Sequence, residues 1–300
     1  MAMFFGSEGP DAYDLINDGN YNFGLEDDRI VGLGGTDFIR TGVGNDFLDG
    51  GSGNDLLADG DGDDTVIAGA GDDTVFADAG DDVFYGGEGT DTLNITNIHI
   101  GLSGSETNYT GIKLDLASTA AQDLGEFGVD RFFGFEDVIC AYGNDTIFGT
   151  SGANRIATFV GNDIINGREG DDTILGGLGA DTLIGGLGAD TIHTAVDTFR
   201  DVIRYETLKD SGTTDATRDI ISYFTHGQDK IDLSKLDANL GLKGNQAFKV
   251  VKGFTKAFGE VKLVYSGLDT LVQVDGDKDK AVDMTILVKD AHLTKGDFIL

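Results

Sequence analysis

The sequence contains one cysteine, one proline, no tryptophan and few basic residues. Cys140 is the single cysteine among 300 residues, which excludes an intrachain disulfide. Acidic residues number 53 against 21 basic ones, so the formal net charge is -32. Nucleic acid is excluded as an expected partner, because its phosphates would repel such a chain, and cations are favoured instead.

Long apolar segments are also missing. The sequence has no run of about 18 apolar residues, so it predicts no transmembrane helix. The first residues, MAMFFGSEGPDAYD, have neither a basic region nor an apolar core, and we therefore expect no cleaved secretory signal there. Any export signal is expected elsewhere in the chain.

Glycine is abundant, with 47 residues, and much of it belongs to a nine-residue repeat. An aspartate recurs every nine residues from Asp28 to Asp91, and an apolar residue follows two positions later, as Ile30 follows Asp28. A second block keeps this spacing from Asp145 to Asp190. One such unit cannot bury its apolar face alone, so the repeats predict stacked coils of an all-β, parallel β-roll.

Each unit is interpreted as a glycine-rich turn followed by a short strand, with two units to a coil. Glycine suits these turns because it adopts positive φ and leaves room for close approach. Alternate aspartates then line opposite edges of the roll, with Asp46 and Asp64 on one edge and Asp37 and Asp55 on the other. Both edges would present carboxylates beside backbone carbonyls.

Carboxylate and carbonyl oxygens are the ligands that Ca²⁺ prefers, whereas zinc would need histidine or cysteine, which the repeats almost lack. The sequence therefore predicts several bound Ca²⁺ ions. The turns at Asn154, at Thr158–Phe159 and at Ala77–Asp78 depart from the pattern, which predicts weaker or empty sites there. The residues expected to form the metal sites are Gly35, Asp37, Gly44, Asp46, Gly51, Gly53, Asp55, Gly60, Gly62, Asp64, Gly69, Gly71, Asp73, Gly80, Asp82, Gly87, Gly89, Asp91, Asp145, Asp163, Gly170, Asp172, Gly177, Gly179, Asp181, Gly186, Gly188 and Asp190.

Two further acidic clusters resemble the start of an EF-hand loop. They lie at Asp59–Asp63 and Asp275–Asp279, and both lack the rest of that loop. We interpret them as parts of the repeat and of a hairpin, and an additional calcium at Asp275–Asp279 stays open.

Charge divides the chain into dissimilar parts. Residues 1–94 contain 22 acidic and 2 basic residues, whereas residues 195–300 contain 17 and 15. We expect an N-terminal cap at 1–27, a first β-roll block at 28–94, an inter-block β segment at 95–139, a second block at 140–194 and a C-terminal antiparallel β-rich domain at 195–300. Stacked carboxylates repel one another without metal, which predicts disorder in calcium-poor cytosol and folding in extracellular calcium.

At the nonapeptides the chain resembles the RTX proteins, which type I systems secrete. Three segments resemble the C-terminal domain of serralysin-type proteins, namely 218–224, 229–234 and 297–300. The resemblance implies a β-roll with a serralysin-like export domain, an extracellular location and the type I export machinery as a partner. In that family an acidic residue followed by apolar residues, as at 297–300, forms part of an uncleaved export signal.

The motifs of related enzymes are absent. The sequence has no H-E-x-x-H, which excludes the serralysin zinc protease, and no G-x-S-x-G, which leaves a lipase unsupported. The layout is similar to that of the rhizobial nodulation protein O type, which implies a secreted, calcium-binding, non-enzymatic effector in membrane-active nodulation signalling. Two alternatives stay open: an adhesin or matrix protein that binds acidic polysaccharide, or a polysaccharide-modifying enzyme that uses the solenoid face.

Overall fold

The computed structural model describes residues 3–7, 9, 11–14, 27–96, 111–140, 142–236, 246–277 and 279–300. The regular secondary structure of these residues is β-strand, apart from short 3₁₀ helices at Gly125–Phe127 and Lys295–Asp297. In this part of the chain no helix has the length and apolar character needed to cross a membrane. Most of the predicted N-terminal cap and part of the predicted inter-block segment, at 97–110, lie outside the described residues.

The chain divides into two compact units, Met1–Gly143 and Asn144–Leu300. The strands of the first unit are β1 (Met3–Phe5), β2 (Ala12–Asp14), β3 (Arg29–Val31), β4 (Phe38–Val43), β5 (Phe47–Ser52), β6 (Leu56–Asp61), β7 (Thr65–Ala70), β8 (Thr74–Phe76), β9 (Val83–Glu88), β10 (Thr92–Ile95), β11 (Lys113–Asp115), β12 (Gln122–Asp123), β13 (Val129–Phe133) and β14 (Asp137–Cys140).

Successive repeat strands of the first unit alternate between two parallel sheets. One sheet runs β1-β3-β5-β7-β9-β13, with β12 antiparallel to β13, and the other runs β2-β4-β6-β8-β10-β14. Neighbouring strands pair residues 18 positions apart, as Leu48 pairs with Val66 and Leu57 with Val75. Two repeats therefore make one coil, and the predicted parallel β-roll is confirmed.

The inward residues of each sheet form a continuous apolar stack. Ile30, Leu48, Val66 and Phe84 are completely buried, because each lies against its counterpart in the next coil. Phe132 on β13 extends this stack, and its ring lies parallel to that of Phe84 with 5.4 Å between the centroids. The residues before β13 thus interrupt the spacing of the sequence without ending the roll.

The second unit has the same two-sheet construction. Its strands are β15 (Thr146–Phe148), β16 (Arg155–Ala157), β17 (Ile164–Glu169), β18 (Thr173–Leu175), β19 (Thr182–Leu187), β20 (Thr191–His193), β21 (Val202–Arg204), β22 (Asp219–Ser222), β23 (Lys230–Asp232), β24 (Lys249–Val251), β25 (Glu260–Ser266), β26 (Asp269–Asp275), β27 (Met284–Val288) and β28 (Phe298–Ile299). One parallel sheet runs β15-β17-β19-β21-β23-β28, and the other runs β16-β18-β20-β22-β27.

Roll geometry continues past residue 194, where the nine-residue spacing ends. Ile203 on β21 and Ile231 on β23 are fully buried in the stack that starts at Ile147. The loops between these strands vary in length, so the spacing is lost while the inward position is kept. The antiparallel part of the C-terminal region consists of β25, β26 and β27, which form a meander at the edge of the sheet.

Candidate metal sites

The repeat aspartates form hydrogen-bonded ladders along the turns of the first unit. The backbone N–H of Asp28 donates to Oδ1 of Asp46 at 2.7 Å, and that of Asp46 donates to Oδ1 of Asp64 at 2.6 Å. On the opposite edge, the N–H of Asp55 donates to Oδ1 of Asp73 at 2.7 Å. Each carboxylate is therefore fixed by the main chain of the preceding coil.

The second unit repeats this arrangement. The N–H of Asp163 donates to Oδ1 of Asp181 at 2.8 Å, and the N–H of Asp172 donates to Oδ1 of Asp190 at 2.9 Å. These side chains are almost completely buried, with about 1% of the surface of Asp181 exposed. The ladder thus places a row of carboxylates inside the protein.

For most of these carboxylates the second oxygen has no hydrogen-bond partner among the described residues. A buried carboxylate without a partner is costly, and a bound cation is the usual compensation. The expected metal ligands with an unpaired, buried Oδ2 are Asp37, Asp46, Asp55, Asp64, Asp73, Asp82, Asp91, Asp163, Asp172, Asp181 and Asp190.

Backbone carbonyls converge on the same space. A Cβ placed on Gly50 would lie 2.5 Å from Oδ2 of Asp55 and 2.6 Å from the carbonyl oxygen of Ala68 in the next coil. At Gly167 such a Cβ would lie 2.1 Å from Oδ2 of Asp172. The first position of the turn therefore borders a space lined by oxygen atoms, which is the donor set that Ca²⁺ requires.

The fourth position of the turn needs glycine for a different reason. Gly53 has a φ of +124°, and a Cβ there would lie 1.6 Å from the carbonyl oxygen of Gly35 in the preceding coil. A larger residue would be strained and would push the coils apart. The glycines thus hold consecutive turns close enough for both to contribute oxygen ligands.

Burial raises the pKa values of the ladder carboxyl groups. It raises the pKa of Asp64 to about 8, and the bond from the Asp46 N–H only partly offsets this, while the charges of Asp82 and Asp46 add to it. Burial likewise raises the pKa of Asp181 to about 8. Without a cation these groups favour the protonated form, so the ladder has a strong electrostatic preference for positive charge.

Four aspartates that the nine-residue spacing missed occupy the same position. Oδ1 of Asp130 accepts from the Asp82 N–H at 2.9 Å, and the corresponding bonds to Asp201, Asp219 and Asp229 are each 3.0 Å. Asp130, Asp201 and Asp219 also have a buried, unpaired Oδ2, whereas that of Asp229 accepts from the Thr225 N–H. The signal that finds them is an aspartate followed two positions later by an apolar residue, without the requirement for nine-residue spacing.

Asn154 places its amide oxygen where the ladder has a carboxylate. A Cβ on Gly149 would lie 2.5 Å from Oδ1 of Asn154 and 2.6 Å from the carbonyl oxygen of Gly167. The oxygen geometry is kept while the charge is lost, and a weaker site at this turn stays a prediction.

The cluster at the end of β26 has a different character. Carboxylate oxygens of Asp275, Asp277 and Asp283 lie within 4.8 Å of one another. They already accept backbone hydrogen bonds, since Oδ2 of Asp283 accepts from the Gly276 N–H at 2.7 Å and Oδ2 of Asp275 from the Lys280 N–H at 3.0 Å. A calcium ion at this hairpin stays a prediction.

Comparison with known families agrees with the ladder geometry. Residues 133–300 match the family described as peptidase M10 serralysin C terminal, and residues 24–57 and 59–93 match the RTX calcium-binding nonapeptide repeat. The chain belongs to the RTX family. Calcium is thus the ion that the repeats of this RTX protein bind, and the two matches together indicate a secreted, calcium-binding protein.

Solved structures similar to this RTX protein include two subunits of the Azotobacter vinelandii mannuronan C5-epimerase. The AlgE6R3 subunit is 25% identical, with 52% of this chain and 77% of that chain covered and a TM-score of 0.21. The AlgE6R2 subunit is 22% identical, with 54% and 91% covered and a TM-score of 0.23. No curated protein matches the chain.

Proposed function

We propose that this RTX protein is a calcium-folded, non-enzymatic effector that acts outside the cell. The observation that carries the proposal is the row of buried, unpaired Oδ2 atoms on both edges of the roll. These carboxylates fit Ca²⁺ together with the turn carbonyls, and bound calcium would neutralise them. The ligating residues would be the aspartates and glycines of the turns predicted from the sequence, together with Asp130, Asp201 and Asp219.

Calcium would then act as a folding switch. Where calcium is scarce, the stacked carboxylates disfavour the roll, because they must be either protonated or buried as unpaired charges. Where calcium is in the millimolar range, binding energy is added directly to folding energy. This behaviour suits a chain that is exported unfolded, and the serralysin-type C-terminal region supports a type I system as the route.

The surroundings of the described histidines support a non-enzymatic role. His226 Nδ1 lies 2.8 Å from the buried Oδ2 of Asp297, and His292 Nε2 lies 2.7 Å from the carbonyl oxygen of Gly267. The His193 ring lies 5.6 Å from that of Tyr223 and is tilted by 44° to it. Each of these rings thus has a structural contact, and they lie on separate loops and strands of the second unit.

Membrane-active nodulation signalling is the more specific form of the proposal. Val196 and Phe199 support the membrane contact that it requires, since they are 78% and 55% exposed in one loop of the second unit. Apolar side chains that face solvent in this way can enter a lipid surface.

Circular dichroism tests the folding switch. We expect little strand signal in chelator, a cooperative gain on addition of calcium, and no equivalent gain with magnesium. The same strand content with and without calcium would contradict the proposal.

Dye release from anionic lipid vesicles, measured with and without calcium, tests the effector role. Calcium-dependent release is the expected result. Retention on acidic polysaccharide without any release would favour the adhesin alternative. Turnover of an alginate-like or pectin-like polymer would show that the protein is an enzyme.

A further inference from the structure

One turn of the first unit carries an aspartate where equivalent turns carry a smaller residue. Asp59 precedes Asp64 by five positions, and the same position before other ladder aspartates is occupied by Gly50, Ala68 and Ala77. Asp59 is completely buried. A charged side chain at this position inside the roll requires an explanation, because burial of an unpaired charge is costly.

The direction of the side chain supplies the explanation. The first position of a turn borders the oxygen-lined space, as the contacts of a Cβ placed on Gly50 show. Asp59 has such a Cβ, so its carboxylate extends toward that space. The turn that holds Asp64 thus contributes two carboxylates, whereas the turn that holds Asp55 contributes one.

The third carboxylate comes from the next coil. Carboxylate oxygens of Asp59, Asp64 and Asp82 all lie within 4.8 Å of one another. Two oxygens on opposite sides of a Ca²⁺ ion bound at about 2.4 Å would be about 4.8 Å apart, so one ion can contact all three groups.

Each of the three side chains also keeps an oxygen without a partner. Oδ1 of Asp59 accepts from the Gly60 N–H at 3.0 Å, and Oδ1 of Asp64 and of Asp82 accept from the preceding coils. Oδ2 of all three is buried and has no hydrogen-bond partner in the described part of the chain. Buried oxygens of this kind, turned toward one point, indicate a cationic ligand.

We infer that Asp59, Asp64 and Asp82 form a three-carboxylate cation site that binds calcium more tightly than the two-carboxylate sites predicted at the other turns. The inference rests on the proposed calcium-binding function. The charge on the ligands is one of the factors that set the calcium affinity of an oxygen site. This site would therefore fill before the others as calcium rises.

Calorimetric titration of the full chain with calcium tests the inference, with sensitised terbium luminescence and calcium competition as a second measurement. For the wild type we expect one ion in a tight class, with a Kd about tenfold below that of the remaining sites. Asp59→Asn should lose this class. Asp61→Asn is the matched control, because Asp61 is exposed in the same turn and its loss removes the same charge.

Asp59→Gly is a second variant that keeps the inference testable if Asp59→Asn fails to fold. It introduces the residue that the equivalent turn carries at Gly50, so the roll should form at saturating calcium, as circular dichroism can verify. A tight class that persists in Asp59→Gly, or a wild type without a tight class, would overturn the inference. A wild type that does not fold on calcium at all would instead contradict the proposed function.

Discussion

Oδ1 of Asp64 accepts a 2.6 Å hydrogen bond from the backbone N–H of Asp46, one coil earlier. This bond fixes the carboxylate so that Oδ2 remains buried without a partner. The same relationship recurs along both edges of the roll. The main chain, rather than other side chains, therefore orients the candidate calcium ligands.

Removal of one ladder carboxylate should weaken calcium-dependent folding of the second unit. Asp181→Asn keeps the size of the side chain but removes a charged ligand and weakens the bond from the Asp163 N–H. We expect the calcium concentration at the folding midpoint to rise roughly threefold to tenfold. The measurement is a circular dichroism titration. Glu169→Gln, an exposed loss of the same charge, is the control and should leave the midpoint unchanged.

Acidic pH should favour the roll when calcium is absent. Burial raises the pKa of Asp64 and Asp181 to about 8 and that of Asp82 to about 7. A carboxyl group whose pKa rises on folding stabilises the fold fully below its ordinary value of 3.8, and that stabilisation is lost as pH rises through about 8. In chelator we therefore expect more strand signal at pH 5 than at pH 8.

Protons on these carboxyl groups stabilise the roll in place of calcium, so less calcium is needed to fold the chain at lower pH. The calcium concentration at the folding midpoint should consequently fall as the pH falls from 8 to 5. A midpoint that is independent of pH across this interval would show that the ladder carboxyl groups are ionised in the metal-free fold.

A methyl group at the fourth position of a turn should separate neighbouring coils. In Gly53→Ala the new Cβ would meet the carbonyl oxygen of Gly35, and the residue would have to keep a φ of +124°. We expect a loss of more than about 1 kcal/mol in the free energy of unfolding in saturating calcium, measured with urea. Ser52→Ala in the same turn is the control. Equal stability of the two variants would mean that the turn can relax.

A second tight site should be obtainable by design on the opposite edge. Ala68 occupies the position before Asp73 that Asp59 occupies before Asp64, and it is fully buried. Ala68→Asp would place a third carboxylate near Asp73 and Asp91. We expect one additional ion bound about tenfold more tightly than in the ordinary turns, measured by calorimetry.

Ala70→Asp adds the same charge at the position equivalent to Asp61 and should add no tight site. If Ala68→Asp folded in saturating calcium without a second tight ion, the number of carboxylates would not be what sets affinity at these turns.

The repeat itself was predictable because both of its signals are local. Leu48 and Val66 are buried because they stack on each other, glycine fills the turns because consecutive coils approach closely there, and each pattern repeats in the sequence. Asp130 and Asp201 escaped the prediction because insertions of variable length separate their strands from the preceding coil. A fixed spacing cannot detect a register that is set by strand pairing.

Asp59 illustrates a different limit of the sequence. Its neighbours Asp61 and Asp63 are also acidic, yet both are exposed. The residue types in this turn do not distinguish the buried carboxylate from the exposed ones. Only the direction of the first turn position, toward the space shared with the next coil, makes that distinction.

The 18-residue pairing register, seen between Leu57 and Val75, also limits how the length of the roll can change. Removal of a whole coil would leave every later aspartate on its own edge. Removal of one nine-residue repeat would transfer all later strands of the unit to the opposite sheet and exchange the two ladders. The roll can therefore lengthen or shorten only by pairs of repeats. Loss of a single repeat would change its topology and not merely its length.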